Sequence, residues 1–190
     1  MSALPFAAML LLLAAAAPSH AAPEPAMKML FTFDEGADEP RWVAVNDGVM
    51  GGRSRGGPER VAGQLRFIGV LSLENNGGFS SVRTVGRDFD LSGQQAVVLR
   101  VRGDGRPYQL RLATDARFRG ITVSYGGEFA TVAGQWIEVR VPLAGLSPSA
   151  HGFALRGPPL DAARVREIGL LLGDKREGPF ALAVDWIALE

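Results

Sequence analysis

The stretch Gly52-Arg53-Ser54-Arg55-Gly56 has the Gly-x-Ser-x-Gly spacing that, in a nucleophile elbow, lifts a serine onto a strained strand-to-helix turn. Here Gly57-Pro58 follows where that helix would have to begin. A serine nucleophile also needs a base. The chain holds 2 histidines, His20 and His151; the first lies in a segment read below as a removable leader, and the second sits beside Gly152 in what reads as a surface loop. Ser54 is therefore read as part of an ordered loop, and no enzymatic activity is expected. A single remaining histidine and zero cysteines cannot assemble a zinc or iron site. Calcium needs only oxygens, and Asp34 at the end of the first strand with Asp185 in the last could supply them. Exposed strand-end carboxylates are common, however, and no calcium effect is expected. The glycine-rich stretch lacks the Lys-Ser/Thr ending of a phosphate loop, so no cofactor is expected.

The most distinctive segment is Trp42-Val43-Ala44-Val45-Asn46-Asp47-Gly48-Val49-Met50-Gly51-Gly52-Arg53-Ser54. An aromatic strand runs into Asn46 and Asp47, whose side chains can accept hydrogen bonds from loop amides. An apolar pair and a double glycine follow, and the glycines let the backbone approach something closely. Asn46 and Asp47 are expected to cap the loop, while Arg53 and Ser54, beyond the glycines, are placed to meet a ligand or partner. A second candidate is a polar face carrying Arg100, Arg102, Arg111 and Arg140 with Glu138, which suits an anionic ligand or an outer sheet laced with ion pairs.

These residues need a scaffold, and composition selects it. Gly (24) and Pro (12) are abundant, favouring many turns between short strands. Alternation points Val97, Leu99 and Val101 one way and Arg100 and Arg102 the other; it likewise separates Tyr108, Leu110 and Leu112 from Gln109 and Arg111, and Ile137, Val139 and Val141 from Glu138 and Arg140. Segments 167–172 and 180–189 are nearly continuously apolar, as befits central strands of a two-layer core. Hairpins are expected at Asn76-Gly77-Gly78, Asp104-Gly105 and Gly126-Gly127, with a longer connection over 173–178. Segment 160–167, with Asp161 as cap, is the one candidate for a turn or two of helix. The expected fold is all-β, a sandwich or barrel.

The run Ala7 to Ala17 is apolar, ends at Pro18 and is followed by Ser19-His20-Ala21. It has the length of a signal-peptide core and is far short of the roughly 20 residues of a spanning helix. The expected organisation is a signal peptide over 1–22, a linker over 23–28, and one domain over 29–190, periplasmic or secreted and without a membrane span. Lys plus Arg (20) equals Asp plus Glu (20), so no net positive field favours nucleic acid.

The segment 42–54 resembles the signature of the complex I intermediate-associated protein 30 family. The likeness continues through 69–83, Leu91-Ser92-Gly93, 98–108, 136–143 and 178–187, nearly the whole domain. The resemblance implies a galactose-binding-domain-like jelly-roll β-sandwich without catalytic residues. Mitochondrial members are chaperone-like assembly factors of respiratory complex I, so a non-enzymatic binding role with a protein client is implied here. A carbohydrate-binding module of the cell envelope is the alternative, and the exposure of Tyr108, Tyr125 and Trp136 would decide it.

Overall fold

A computed structural model describes residues 27–190. The expected leader and all but the end of the expected linker lie outside the described residues. The strands are β1 (Lys28–Phe31), β2 (Arg41–Asn46), β3 (Arg55–Val61), β4 (Gln64–Leu71), β5 (Ser80–Val85), β6 (Ala96–Arg102), β7 (Tyr108–Phe118), β8 (Ile121–Phe129), β9 (Trp136–Pro142), β10 (Ser147–Ala150), β11 (Phe153–Ala154), β12 (Glu167–Leu172) and β13 (Gly178–Leu189). One sheet runs β3-β4-β13-β6-β9, with β1 also paired to β13, and the other runs β11-β10-β8-β7-β12-β5-β2. The pairings between these strands are antiparallel. The result is a jelly-roll sandwich. As the apolar runs predict, β12 and β13 each lie inside their sheet.

The layers meet through alternate side chains. Leu65 and Phe67 of β4, Val97, Leu99 and Val101 of β6, and Leu182, Val184 and Ile187 of β13 face Val82 of β5, Tyr108, Leu110 and Leu112 of β7, and Ile168, Leu170 and Leu172 of β12, and all of them are buried. Each such side chain contributes about 1.5–3 kcal/mol relative to exposure, which is why a chain without disulfides can hold this sandwich. An aromatic group of Phe31, Phe33, Trp42 and Phe89 closes the core beside β1 and β2, with ring centroids 5.6–6.1 Å apart. The expected helical segment is one 3-10 turn, Ala162–Arg164, and Asp161 caps it by accepting from the Ala163 amide.

None of the three expected hairpins is a hairpin, and the expected longer connection passes between sheets. Asn76-Gly77-Gly78 joins β4 to β5, Asp104-Gly105 joins β6 to β7, and 173–178 joins β12 to β13; in each case the two strands belong to different sheets, so these segments step across the core. Gly126-Gly127 is no turn at all but lies inside β8. A Cβ on Gly127 would stand 2.6 Å from Val141 of the facing sheet; that glycine answers to close packing, the other reason a strand keeps one. The true hairpin of this pair is Arg119-Gly120, between β7 and β8, and a second is Ala62-Gly63, between β3 and β4. Both residues of each have positive φ (51° and 82°, 50° and 71°), the condition of the tight turn that matches strand twist.

Five connections, 47–54, 72–79, 103–107, 130–135 and 173–177, pass from one sheet to the other at one end of the sandwich. The two tight hairpins sit at the opposite end.

Candidate functional site

At the crossover end the chain buries charge. Asp47 opens a short 3-10 turn, Asp47–Met50, directly after β2 and is only 1% exposed. Its Oδ1 accepts from the Ser54 amide at 2.9 Å; its Oδ2 accepts from the Ser54 hydroxyl at 2.5 Å and from the amides of Gly78 at 2.7 Å and Phe79 at 3.3 Å. One carboxylate thus ties 47–54 to 72–79. Burial by itself would raise the Asp47 pKa, but the Ser54 hydroxyl and the three amides outweigh it and hold the carboxyl below the usual carboxylate value. The double glycine now has its reason: a Cβ at Gly52 would lie 2.5 Å from Asp47 Oδ1, and one at Gly77 2.6 Å from Oδ2. Gly51 adopts a φ of 90°, open to glycine at no steric cost.

The expected division of this loop needs correcting. Asp47 caps amides as expected. Ser54, expected to meet a partner, is buried; its hydroxyl donates to Asp47 and accepts from the Ser72 amide at 3.0 Å. Asn46 also turns inward, donating to the Gly56 carbonyl and accepting from the Ser80 hydroxyl. Of the four, Arg53 alone is largely exposed, and it meets Glu74 at 3.1 Å.

A second buried charge escaped the sequence reading. Arg106, 5% exposed, grips Asp174 through Nε at 2.9 Å and Nη2 at 2.6 Å, and also donates to the carbonyls of Pro179 and Arg176. The hydrogen bond to Asp174 raises the guanidinium pKa; Arg106 in turn holds Asp174 below its ordinary value despite burial. Asp104 accepts from the Tyr108 hydroxyl and the Ala181 amide. The partners are 68 residues apart in sequence, and no local pattern joins them.

These buried groups hold an apolar apex. Val49 and Met50 are 74% and 66% exposed on the turn that Asp47 anchors, and Leu73 and Val132 are also exposed on loops of this end. Arg53, Glu74, Lys175 and Glu177 supply charge around them; Lys175 donates to the Gly77 carbonyl, and Glu177 accepts from Ser72 and Leu73.

Comparison with known proteins sets this end in context. The family model described as Complex I intermediate-associated protein 30 matches residues 31–184. The chain belongs to this family. A mouse relative, the mitochondrial Complex I intermediate-associated protein 30, is 26% identical over 85% of the chain; the chain spans about half of that relative's length, 56%. The fold is also that of solved carbohydrate-binding modules. The family 11 module of a Clostridium thermocellum cellulosomal cellulase superposes with a TM-score of 0.63 at 15% identity, over 86% of this chain and 94% of that one. The C. thermocellum family 11 module in complex with a β-1,3-1,4-mixed-linked tetrasaccharide gives a TM-score of 0.62 at 15% identity over the same shares.

In this member of the complex I intermediate-associated protein 30 family the arginines expected on one face divide between two. Arg100, Arg102 and Arg140 stand on β6 and β9, in the six-stranded sheet, whereas Arg111 stands on β7, in the other sheet. The first three have partners at hand: Arg140 makes a two-pronged pair with Glu190 at 2.7 and 2.9 Å, Arg100 lies 3.5 Å from Asp185, and Arg102 lies 5.0 Å over the Trp136 ring. Asp185 thus faces an arginine, and Asp34 lies by Gly63 of the Ala62-Gly63 turn; among the described residues no group of three or more His, Cys, Asp or Glu is placed to hold a metal. Tyr108 and Tyr125 are buried in the core, and burial raises both phenol pKa values. Trp136 is half-covered and lies beneath Arg100 and Arg102. His151 is exposed.

Proposed function

We propose that this chain is an exported, non-catalytic binding protein that holds a protein client during assembly, with the crossover end as its contact surface. The observation that carries the reading is the Val49-Met50 apex: two large apolar side chains stand in solvent on a turn whose backbone a buried carboxylate fixes. Rigid exposed apolar groups rimmed by charge are the usual anatomy of a protein contact. Family membership supports a client role, since relatives are named for association with complex I intermediates. The apolar run 7–17 favours a client in the envelope.

The carbohydrate-binding alternative draws on the shared fold. Sugar stacking needs exposed aromatic faces; of the three aromatics expected to supply them, Tyr108 and Tyr125 are in the core and Trp136 is half-covered, with Arg100 and Arg102 over its ring. A protein client therefore ranks first.

The test is site-specific photocrosslinking in cells that produce the full chain. A crosslinker at position 50 is expected to yield a discrete adduct in the envelope fraction, and one at position 61, apolar and exposed but beside the Ala62-Gly63 turn, is not. Equal adducts from both positions, or binding of the purified protein to a glycan array in place of any adduct, would overturn the reading.

A further inference from the structure

The outer face of the seven-stranded sheet carries a feature that the proposed client contact does not use. Cross-strand register sets Val43, Arg83, Gly169, Arg111, Gly126 and Ser147 in one straight row over six strands. Two arginines alternate with two glycines. Where Gly169 lacks a side chain the sheet surface dips, and a cavity of about 90 Å³ opens there, with Arg83, Arg111, Ser81, Ser124, Glu167 and Leu171 among its walls.

The two arginines are not alike. Arg83 is neutralised by Glu167 at 2.9 Å. Arg111 leans over Gly126, where a Cβ would stand 3.3 Å from its Cδ and Nη1. It donates only to neutral oxygens, Ser149 Oγ at 3.1 Å and Gln109 Oε1 at 3.4 Å. Among the described residues no carboxylate pairs with it. Burial lowers its pKa, the mark of a cation that has lost water without gaining a counter-charge. A half-buried guanidinium facing a cavity is a ready fork for a carboxylate, which accepts two parallel hydrogen bonds from it.

Size and lining identify the ligand. About 90 Å³ is well below the roughly 300 Å³ at which small-molecule pockets begin. A site of this size suits a single functional group better than a whole sugar ring. The lining holds no aromatic side chain, so nothing stacks a ring. We propose that the cavity over Gly169 is a carboxylate-binding site, read by Arg111, that takes a glutamate or aspartate side chain of a bound protein.

The test titrates N-acetyl-hexaglutamate amide, and hexaglutamine as control, into the purified protein at low salt, by calorimetry. The parent is expected to bind hexaglutamate and not hexaglutamine. Arg111→Gln and Arg111→Lys are each expected to weaken binding at least tenfold, Lys because it keeps the charge but loses the planar fork; two variants keep the test informative should one fail to fold. Arg140→Gln, on the opposite face, is expected to bind like the parent. Absence of hexaglutamate binding, equal binding of hexaglutamine, parent-like binding by both Arg111 variants, or an equal loss in Arg140→Gln would overturn the site. Tighter binding of a trigalacturonate than of hexaglutamate would overturn its assignment to a protein partner. Crosslinking at position 50 reads the apex alone, so either proposal can fail without the other.

Discussion

The two ends of this sandwich are built by different means. At the hairpin end, Ala62-Gly63 and Arg119-Gly120 join neighbouring strands through two residues each, and the turn geometry is local. At the crossover end, the bonds of Asp47 to Gly78 and of Arg106 to Asp174 span 31 and 68 residues. Two further connections at the hairpin end, 32–40 and 86–95, also pass between sheets, and there a single carboxylate, Glu39, accepts from the amides of Thr32 and Phe33 and pairs with Arg60. An end made of five crossings leaves many loop amides and carbonyls with no strand partner, and buried charge is the economical way to satisfy several at once. The lesson is that charge is buried here to fix loops.

The largest test of that contrast is Asp174→Ala, which strands the Arg106 guanidinium in a site that excludes water. A loss of about 3–5 kcal/mol is expected in denaturant unfolding, with the double replacement Arg106→Met/Asp174→Leu costing less than the single one. Next is Asp47→Ala, which leaves the amides of Ser54, Gly78 and Phe79 without their acceptor, at about 3 kcal/mol. Its pH signature follows from sign: Asp47 and Asp174 are both held below their ordinary value of 3.8, so their stabilisation is fully present above that pH and is lost as pH falls through the depressed values. Thermal melting should fall steeply below about pH 4 in the parent, and less steeply in Asp47→Asn. A parent melting point that stays flat to pH 2 would sink this account.

At the hairpin end, Gly63→Ala places a methyl on a residue with a φ of 71° and is expected to cost about 1 kcal/mol, measurable by the same unfolding curves. The smallest effect belongs to Arg53→Ala. Its pair with Glu74 is exposed on both sides, and the melting temperature is expected to change by no more than about 0.5 kcal/mol implies. If Arg53→Ala destabilised the protein more than Gly63→Ala, surface charge as well as buried charge would be holding the crossover end.

Much of this was legible in the sequence, because strand alternation is a local signal. Val97, Leu99, Val101, Tyr108, Leu110 and Leu112 point inward as their spacing says, and Asn-Asp-Gly announced a capped loop. What failed was any inference that needed the third dimension. A glycine-rich turn between two strands reads the same whether they pair or lie in facing sheets, so two crossings, at Asn76-Gly77-Gly78 and Asp104-Gly105, looked like hairpins. Gly126-Gly127 looked like a turn because sequence cannot show that Val141 and Arg111 need the room. Arg100 and Arg111 looked like one face because alternation assigns inside and outside but not which sheet. Ser54 was taken for an exposed side chain because nothing nearby in sequence reveals that Asp47 and Ser72 close over it. For Arg106 the only signal was Asp104-Gly105 beside it, which marks a turn and not a buried ion pair.

The span of the Asp47 and Arg106 contacts also orders events in time. Loop-closure entropy makes contacts across long stretches of chain slow to form, and the two tight hairpins can close before the sheets dock. The Asp47 and Arg106 contacts are then expected to form after the two hairpins have closed. Replacements at Asp174 are therefore expected to speed unfolding more than they slow folding, so that the lifetime of the folded molecule, as distinct from its equilibrium stability, depends on the same end that presents Val49 and Met50.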